Sequence, residues 1–356
     1  MQVWIRRCAL LLLPLGFLAV MVAAPLLSLA FYDGEGAWAE VVADDYMRLR
    51  LGWTVAQAVL TCVLVTALGV PAAWVLARMD FAGRRMVLRL LMLPFVMPTL
   101  VAGMGVLALF GAHGMLASGW QDTPWLLIYG NVFFNLPVLV RSAYQGFVRV
   151  PQARLLSAQS LGADAWRRFV WVEWPVVRAW VAGGACLVFL YCFSGFGLAL
   201  LLGGERFATV EVEIYRLVAY ELDMARASVL VWLVLAVTAA AGGLYAYWSR
   251  RVAVDKSVSP LPPRAPIWAW EKWLTATVLA MLAVCCLLPL AAVWLKAVSA
   301  GSSWAVLLEA QTWAAVWNTV RFSASAVAAA TVLGVLYAAA ARQMAWLRAL
   351  MFLPFM

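Results

Sequence analysis

Charged side chains are scarce in this sequence. Asp, Glu, Lys and Arg together make up 12% of the 356 residues, whereas 66% of the residues are hydrophobic. Soluble domains are roughly half apolar, and about a quarter of their residues are charged. The shortage of charge therefore excludes a soluble globular protein and indicates a chain that crosses a membrane several times.

Histidine and paired cysteines, the usual ligands of structural zinc, are also nearly absent. The one histidine, His113, cannot form a metal site alone. All six cysteines fall within apolar runs, where we expect small core residues rather than a disulfide framework. The adjacent pair Cys285 and Cys286 has no second pair or histidine cluster to join it. We therefore predict neither a metal centre nor a disulfide scaffold.

Two further absences bear on how a membrane protein of this kind is driven. Only three lysines occur, and none follows the G-x-x-x-x-G sequence that would bind nucleotide phosphates. No carboxylate lies in the middle of an apolar run, although transporters driven by protons or ions usually keep ionisable residues there. These absences favour a transporter energised by a partner at the cytoplasmic surface over a secondary transporter or channel. A membrane scaffold, the third alternative, would be marked by large soluble loops, which this sequence does not have.

The apolar runs are long enough to cross a bilayer, which takes about 20 helical residues. The fourth run is the shortest, because Asn131, Asn135 and Pro137 interrupt it. We expect the first run to be a retained span rather than a signal peptide, and a ninth run begins at Ala349. The eight predicted spans are Cys8–Phe31, Trp53–Ala77, Leu90–Gly111, Leu126–Val140, Trp180–Gly203, Ser228–Trp248, Leu274–Ala297 and Trp317–Ala341.

Basic residues are unevenly distributed among the segments that join these spans. With the N-terminus in the cytoplasm, most of the 26 Lys and Arg residues fall on the cytoplasmic side, as the positive-inside rule requires. This asymmetry accounts for the formal net charge of +9, so no nucleic-acid partner is needed to explain it. We predict a multi-pass protein in a lipid bilayer with a cytoplasmic N-terminus.

One cytoplasmic segment, Val150–Pro175, is a polar and basic island between two apolar runs, and we call it the Gly162 loop. Its pattern predicts two short helices. Gly162 follows an apolar stripe of helical spacing, at the position where a left-handed C-terminal cap forms most easily. Asp164 is expected to cap a second helix, Ala165–Trp174, which Pro175 should end.

The Gly162 loop resembles the cytoplasmic loop of ABC-importer permeases, which has the form E-A-A, three residues, Gly, nine residues, I-x-L-P. Ser157 and Ala158 stand at the two Ala positions, and Gly162 stands at the Gly. Leu156 replaces the Glu and Trp174 replaces the Leu, so the match lies in spacing and in small residues. In that family, the loop forms a coupling helix that docks into an ATPase subunit.

This resemblance implies an all-α polytopic membrane protein built from tandem type I ABC-importer transmembrane modules. It implies a transport subunit of the bacterial inner membrane rather than an enzyme, with no cofactor of its own. Its partners would be two ABC ATPase subunits, which bind the ATP, and a periplasmic substrate-binding protein. The ATPase-docking residues implied by the match are Ser157, Ala158, Gln159, Ser160, Leu161, Gly162, Ala163 and Asp164.

An internal repeat supports two modules. The segment from Ser249 to Lys272 is polar, basic and proline-rich, which is typical of an extended linker. Thr54 and Thr66 before it recur as Thr319 and Thr331 after it, within a longer match, and repeated modules are typical of transporters. Because the second copy stops early, we expect that module to be truncated. The predicted domains are 1–50, a first helix and outer loop; 51–250, the first module with its coupling loop at 150–175; 251–272, the linker; and 273–356, the start of the second module.

At finer grain, the chain resembles thiamine importer permeases. The resemblance rests on GNVFFNLP at Gly130–Pro137, on VEWP at Val172–Pro175, and on an outer stretch that begins LGGERF. It covers most of the first module and implies import of thiamine or its phosphates. Permeases for ferric iron share the two-module plan and are the main alternative.

Several polar residues are candidates for contact with the substrate. Asn131 and Asn135 lie one helical turn apart on the fourth span, so their amides either line a polar substrate path or hydrogen-bond between helices. Four residues after the fifth span either face cargo from the binding protein or belong to a solvated interfacial segment. They are Glu211, Glu213, Tyr215 and Tyr220.

Overall fold

The computed structural model describes residues 16–17, 19–31, 36–116, 119–250 and 259–343. Within these ranges the chain is helical, with two isolated β-bridges and no longer strand. The all-α fold class is therefore confirmed for the part of the chain that the structure describes.

The α-helices are numbered here in chain order. They are α1 (Ala24–Phe31), α2 (Ala37–Ala43), α3 (Asp45–Arg78), α4 (Arg84–Leu90), α5 (Leu93–Val96), α6 (Thr99–Phe110), α7 (Pro124–Val148), α8 (Gln152–Ser160), α9 (Ala165–Arg168), α10 (Trp174–Phe193), α11 (Phe196–Leu202), α12 (Val210–Arg216), α13 (Met224–Arg250), α14 (Ala269–Leu282), α15 (Leu288–Val298) and α16 (Ala310–Gln343). Turns of π-helix extend several of them, and a 3-10 helix covers Gly301–Leu308.

In the part of the chain that the structure describes, six helical segments are long and apolar enough to cross a membrane, and each overlaps a predicted span. The predicted multi-pass character is thus confirmed, and the orientation in the membrane stays a prediction. The segments are Asp45–Arg78, Pro124–Val148, Ala165–Phe193, Met224–Trp248, Ala269–Val298 and Ala310–Ala339. The first predicted span, Cys8–Phe31, lies partly outside the described residues, and the ninth run lies outside them altogether.

The third predicted span, Leu90–Gly111, is wrong as a single helix. Its two parts, Arg84–Val96 and Thr99–Phe110, meet at a bend of 104°. Met97 lies directly before Pro98 and is extended, with φ −69° and ψ 144°, as steric contact with a following proline ring favours. The apolar run is therefore a broken or re-entrant segment, which hydropathy alone does not distinguish from a straight span.

The length of the fourth predicted span and the position of the fifth need correction. The fourth is confirmed but longer than predicted, because α7 continues through Pro137 for 25 residues. The fifth predicted span, Trp180–Gly203, begins and ends later along the chain than the observed helix. The helix occupies Ala165–Phe193, and a separate short helix, α11, follows it.

Helices α3, α7 and α10 pack together at the centre of the molecule's larger compact unit, which contains Trp38–Asp223 and Leu230–Ala297. Two glycines allow this close approach. A Cβ atom on Gly69 would lie 2.8 Å from a methyl carbon of Leu139, and one on Gly184 would lie 2.9 Å from the Cβ of Ser142. Small residues at helix interfaces are characteristic of membrane bundles, where backbones pack closely.

The smaller unit contains the described residues of Met1–Ala37, Met224–Val229 and Val298–Met356. Its longest helix, α16, carries the second copy of the predicted repeat. The first residues of α3 and α16, Asp45 and Ala310, have the same separation in sequence as Thr54 and Thr319. Both threonine hydroxyls donate to the carbonyl four residues earlier. The tandem arrangement of complete modules stays a prediction.

The linker is shorter than predicted. Helix α13 extends to Arg250, and α14 already begins at Ala269, so the last residues of the predicted linker are helical. Residues 251–258 lie outside the described part of the chain. From Ser259 to Trp268 the backbone is not helical, and it lies beside the Gly162 loop.

Candidate coupling site

The first half of the Gly162 loop has the predicted helix and cap. Helix α8 ends at Ser160, and Gly162 has a φ of +80°, the left-handed conformation that favours glycine. The Gly162 N–H donates to the Gln159 carbonyl, and the Ala163 N–H donates to the Ala158 carbonyl, each at 3.0 Å. These two bonds form a Schellman cap. The predicted cap at Gly162 is therefore confirmed.

The second half begins as predicted but does not end as predicted. The Asp164 carboxylate accepts a hydrogen bond from the Arg167 N–H at 2.7 Å and caps α9. We expected Pro175 to end the second helix, but the helix continues past it. A π-helical turn, Phe169–Glu173, joins α9 to α10, with Pro175 in the first turn of α10. The second half of the loop and the following span therefore form one continuous helical segment, Ala165–Phe193.

The predicted ATPase-docking residues occupy the exposed end of this loop. Ser157, Gln159, Ser160, Leu161, Gly162 and Asp164 are exposed, whereas Ala158 and Ala163 are half-buried. Leu155, in contrast, is 6% exposed and packs inward, while Leu161 is 87% exposed. An apolar side chain that projects from a loop tip is available to a partner surface. The docking role itself stays a prediction.

A buried ion pair fastens the base of the loop to the helical bundle. The Arg78 Nε–H, at the end of α3, donates to Glu173 Oε1 at 2.7 Å, and the two side chains are 6% and 5% exposed. Trp74 Nε1–H donates to the other carboxylate oxygen at 2.9 Å. A second guanidinium nitrogen of Arg78 donates to the Phe147 carbonyl, near the end of α7, at 3.1 Å. One carboxylate therefore connects the loop to α3, and the paired guanidinium extends the connection to α7.

Sequence reasoning did not find this ion pair. In the sequence, Glu173 stands out only as part of the VEWP motif, and Arg78 is one of many basic residues on the predicted cytoplasmic side. A signal was nevertheless available, because Glu173 is a carboxylate directly before an apolar helix, where burial requires a partner. Which of the basic residues nearby is that partner depends on the packing of α3 against α10 and is not visible in the sequence.

Asn131 and Asn135 lie in a buried network that joins three helices. They are 4% and 1% exposed. The Asn131 amide donates to Gln57 Oε1 on α3 at 2.8 Å, and the Gln57 amide donates to the Cys192 carbonyl on α10 at 2.8 Å. Asn135 donates to the Asn131 carbonyl at 2.9 Å. This geometry matches the helix-bridging alternative, and a role in a substrate path stays a prediction.

At the opposite end of α3, Glu213 is not part of a solvated segment. It is 3% exposed and accepts a hydrogen bond from the Tyr46 hydroxyl at 2.9 Å. Arg50 lies 3.8 Å from the same carboxylate and also donates to the carbonyls of Glu205 and Arg206 at 2.6 and 2.7 Å. This cluster fixes α12 to α3, which corrects the solvated alternative for Glu213.

The other three residues of this outer group differ from Glu213. Glu211 is half-buried, and burial raises the pKa of its carboxyl group above the usual range. The rings of Tyr215 and Tyr220 meet edge to face with their centroids 5.8 Å apart, and Tyr220 is 73% exposed. Of these four residues, the two tyrosines are the exposed ones that a partner or the bilayer interface could contact.

Residues 66–254, which include the whole Gly162 loop, match the sequence profile of the binding-protein-dependent transport system inner membrane component. The chain belongs to this family. It is therefore a multi-pass component of the inner membrane, and the resemblance to ABC-importer permeases drawn from the loop is confirmed. For this permease, the loop between α7 and α10 lies inside the region that defines the family.

Individual relatives make the similarity more specific. The permease is 32% identical over 322 residues to the thiamine transport system permease protein ThiP of Salmonella typhimurium, covering 87% of this chain and 58% of the relative. It is 35% identical over 239 residues to the protein of that name from Brucella abortus, covering 64% of this chain and 44% of the relative. The chain thus spans about half the length of these relatives.

A solved structure supports the fold. A chain in the crystal structure of a bacterial alginate ABC transporter, in complex with an alginate pentasaccharide-bound periplasmic protein, superposes with a TM-score of 0.59 at 16% identity. The match covers 70% of the permease and 95% of that chain. At this level of identity the likeness concerns the fold and not the substrate.

Proposed function

We propose that this permease is the membrane subunit of an ATP-driven importer that moves a small solute from a periplasmic binding protein into the cytoplasm. The observation that carries the proposal is the Gly162 loop. It presents an exposed, capped helix within the family-defining region, and the buried Arg78–Glu173 pair ties its base to the bundle. A surface segment that is rigidly anchored can transmit a force, whereas a loosely attached one cannot.

The proposed partners follow from the exposed helix of the Gly162 loop and from the sequence's lack of a nucleotide-binding motif. The chain has no G-x-x-x-x-G-K sequence, so ATP is bound by a separate subunit. In this proposal two ABC ATPases act together, and one of them receives α8 in a surface cleft. The N-terminus and the Gly162 loop face the cytoplasm, which is the orientation that the positive-inside rule favours.

In the proposed mechanism, α8 acts as a lever. Closure of the ATPase pair on ATP moves the exposed face of α8, and the Arg78–Glu173 connection passes this movement to α3 and α7. The bundle then changes from inward-facing to outward-facing and accepts cargo from the binding protein. The ATPase changes the populations of two conformations, and the permease performs no covalent chemistry.

The proposed cargo is thiamine or its phosphates. Support comes from the relatives whose name is thiamine transport system permease, at 31–35% identity. Ferric iron is the alternative cargo. The proposed organisation keeps the first module at 51–250 and the start of a second module at 273–356.

Growth and uptake measurements test this proposal. Deletion of the gene from a thiamine auxotroph should raise the external thiamine concentration needed for growth, and should reduce uptake of radiolabelled thiamine. A plasmid copy of the gene should restore both. An unchanged thiamine requirement together with defective ferric iron uptake would move the assignment to the alternative cargo. Normal uptake of both would remove the importer proposal.

A further inference from the structure

The segment between the two predicted modules contacts the Gly162 loop directly. We call Ser259–Trp268 the strap. Its first residues pair with the start of α8, since Pro260 forms an antiparallel β-bridge with Pro151 and the Gln152 N–H donates to the Ser259 carbonyl at 3.1 Å. A flexible tether would make no such bonds.

The bond to Gln152 has a specific physical role. The first N–H groups of a helix have no partner within the helix, and a Ser, Thr, Asp or Asn side chain usually supplies one. The residue at that position of α8 is Pro151, which makes no side-chain cap. The Ser259 carbonyl therefore provides a cap that the loop's own sequence does not.

The strap also binds the end of α3. The Arg264 N–H donates to the Arg78 carbonyl at 3.0 Å, and the Asp80 N–H donates to the Arg264 carbonyl at 2.7 Å. Carbonyl groups in the last turn of a helix lack partners within that helix, so Arg264 satisfies one of those on α3. The Arg78 side chain is the one that holds Glu173, so strap and loop are fastened to the same residue.

A third set of contacts connects the strap to α14. The Arg264 guanidinium donates two bonds to the Glu271 carboxylate, at 2.5 and 3.2 Å. Oε2 of this carboxylate, which accepts the longer of these two bonds, also accepts the N–H groups of Ile267 and Trp268 at 2.9 and 3.2 Å. Glu271 is 2% exposed, so this charge depends on Arg264 for compensation.

We propose that the strap is a positioning element of the coupling site, with Arg264 as its positioning residue. It caps α8, binds the end of α3 and links both to α14, the first described helix after the linker. Movement of the Gly162 loop is thereby passed to α14 as well as to α3 and α7. The part played in coupling rests on the proposed function, whereas the docked position of the strap does not.

The position is tested first, on the purified permease without partners. In the pair Pro151→Cys and Pro260→Cys, the two residues oppose each other in a β-bridge, at a spacing that suits a disulfide. Mild oxidation should cross-link most molecules, detected by mass spectrometry of the joined peptides. The control pair, Pro151→Cys and Pro266→Cys, should cross-link far less. Equal cross-linking of the two pairs would overturn the docked position, because it would mean that the strap moves freely.

Coupling is tested on the permease reconstituted in liposomes with its ATPase and binding protein. Arg264→Ala should lower the number of cargo molecules imported per ATP hydrolysed by about fivefold or more, in the usual range of coupling between sites. Lys272→Ala, which removes an exposed positive charge from α14, should leave this ratio unchanged. The oxidised Pro151→Cys and Pro260→Cys permease should keep the wild-type ratio, because strap and loop move together.

Two results would refute the role in coupling. One is an unchanged ratio in Arg264→Ala, and the other is a loss of transport on oxidation of the cysteine pair that reduction reverses. If the wild-type assembly imports no cargo at all, the proposed function fails instead, and the cross-linking result still decides whether the strap is docked.

Discussion

The buried pair of Arg78 and Glu173 gives the sharpest test of how the Gly162 loop is held. The change is Glu173→Gln, which keeps the shape of the side chain and an oxygen for the Trp74 indole N–H while it removes the negative charge. Arg78 then remains buried without a counter-charge. Because the two side chains are 6% and 5% exposed, water screens this loss very little.

The expected magnitude follows from that burial. Removal of one partner of a buried ion pair usually costs about 3–5 kcal/mol. Gln still accepts one hydrogen bond, so we expect the lower end, a decrease of about 3 kcal/mol in the free energy of unfolding. Replacement of both partners, Arg78→Met with Glu173→Leu, leaves no unpaired charge and should recover most of the loss.

The assay is reversible unfolding in mixed micelles, with increasing SDS and a helix-sensitive signal. Asp45→Asn is the matched control, since it removes a carboxylate from the exposed pair with Arg48, where the two side chains are 88% and 59% exposed. That change should cost less than about 1 kcal/mol. A buried ion pair of this strength is refuted if Glu173→Gln costs no more than Asp45→Asn, or if the double replacement is no more stable than Glu173→Gln.

Three further predictions address the cap, the amide network and the orientation. Gly162→Val should strain the left-handed backbone locally by about 1–2 kcal/mol. It should reduce import per ATP hydrolysed and leave membrane insertion unchanged. Normal import together with co-purification with the ATPase would show that the loop is only a hairpin. Asn131→Leu leaves the buried Gln57 side-chain oxygen without its hydrogen-bond donor and should destabilise the protein by about 1–3 kcal/mol. A changed KM for import with unchanged stability would instead indicate that Asn131 lines a substrate path. Single cysteines at Gln121 and Ser160 test the orientation with an impermeant thiol reagent in intact cells. The cysteine at Gln121 should react and the cysteine at Ser160 should not. Labelling at Ser160 rather than Gln121 would reverse the proposed orientation.

The sequence alone was sufficient for the features that depend on local chemistry. The long apolar runs predicted a multi-pass helical protein, because a buried backbone in lipid must satisfy its own hydrogen bonds. Gly162 predicted the end of α8, since a left-handed cap is easiest without a Cβ atom. Asp164 predicted the start of α9, since an aspartate side chain can accept a hydrogen bond from an N–H in the first turn of a helix. The spacing of small residues around Gly162 led to the correct family.

Tertiary structure decided the features that depend on which segments meet. Proline shows why: the chain bends by 104° beside Pro98, whereas the helix continues past Pro175, which follows a π-helical turn. Hydropathy treats the two alike, and only the packed helix shows which one is accommodated.

Partners for polar groups were decided in the same way. Glu173, Glu213 and Glu271 look like ordinary charged residues near the ends of apolar runs, yet each is less than 5% exposed and paired with an arginine. Arg78 lies 95 positions from Glu173, Arg50 lies 163 positions from Glu213, and Arg264 lies seven positions from Glu271. A carboxylate's burial is set by the helices that close over it, and its partner by the segment those helices bring alongside. The sequence supplies the charges, and the packing of α3, α10 and the strap determines which of them pair.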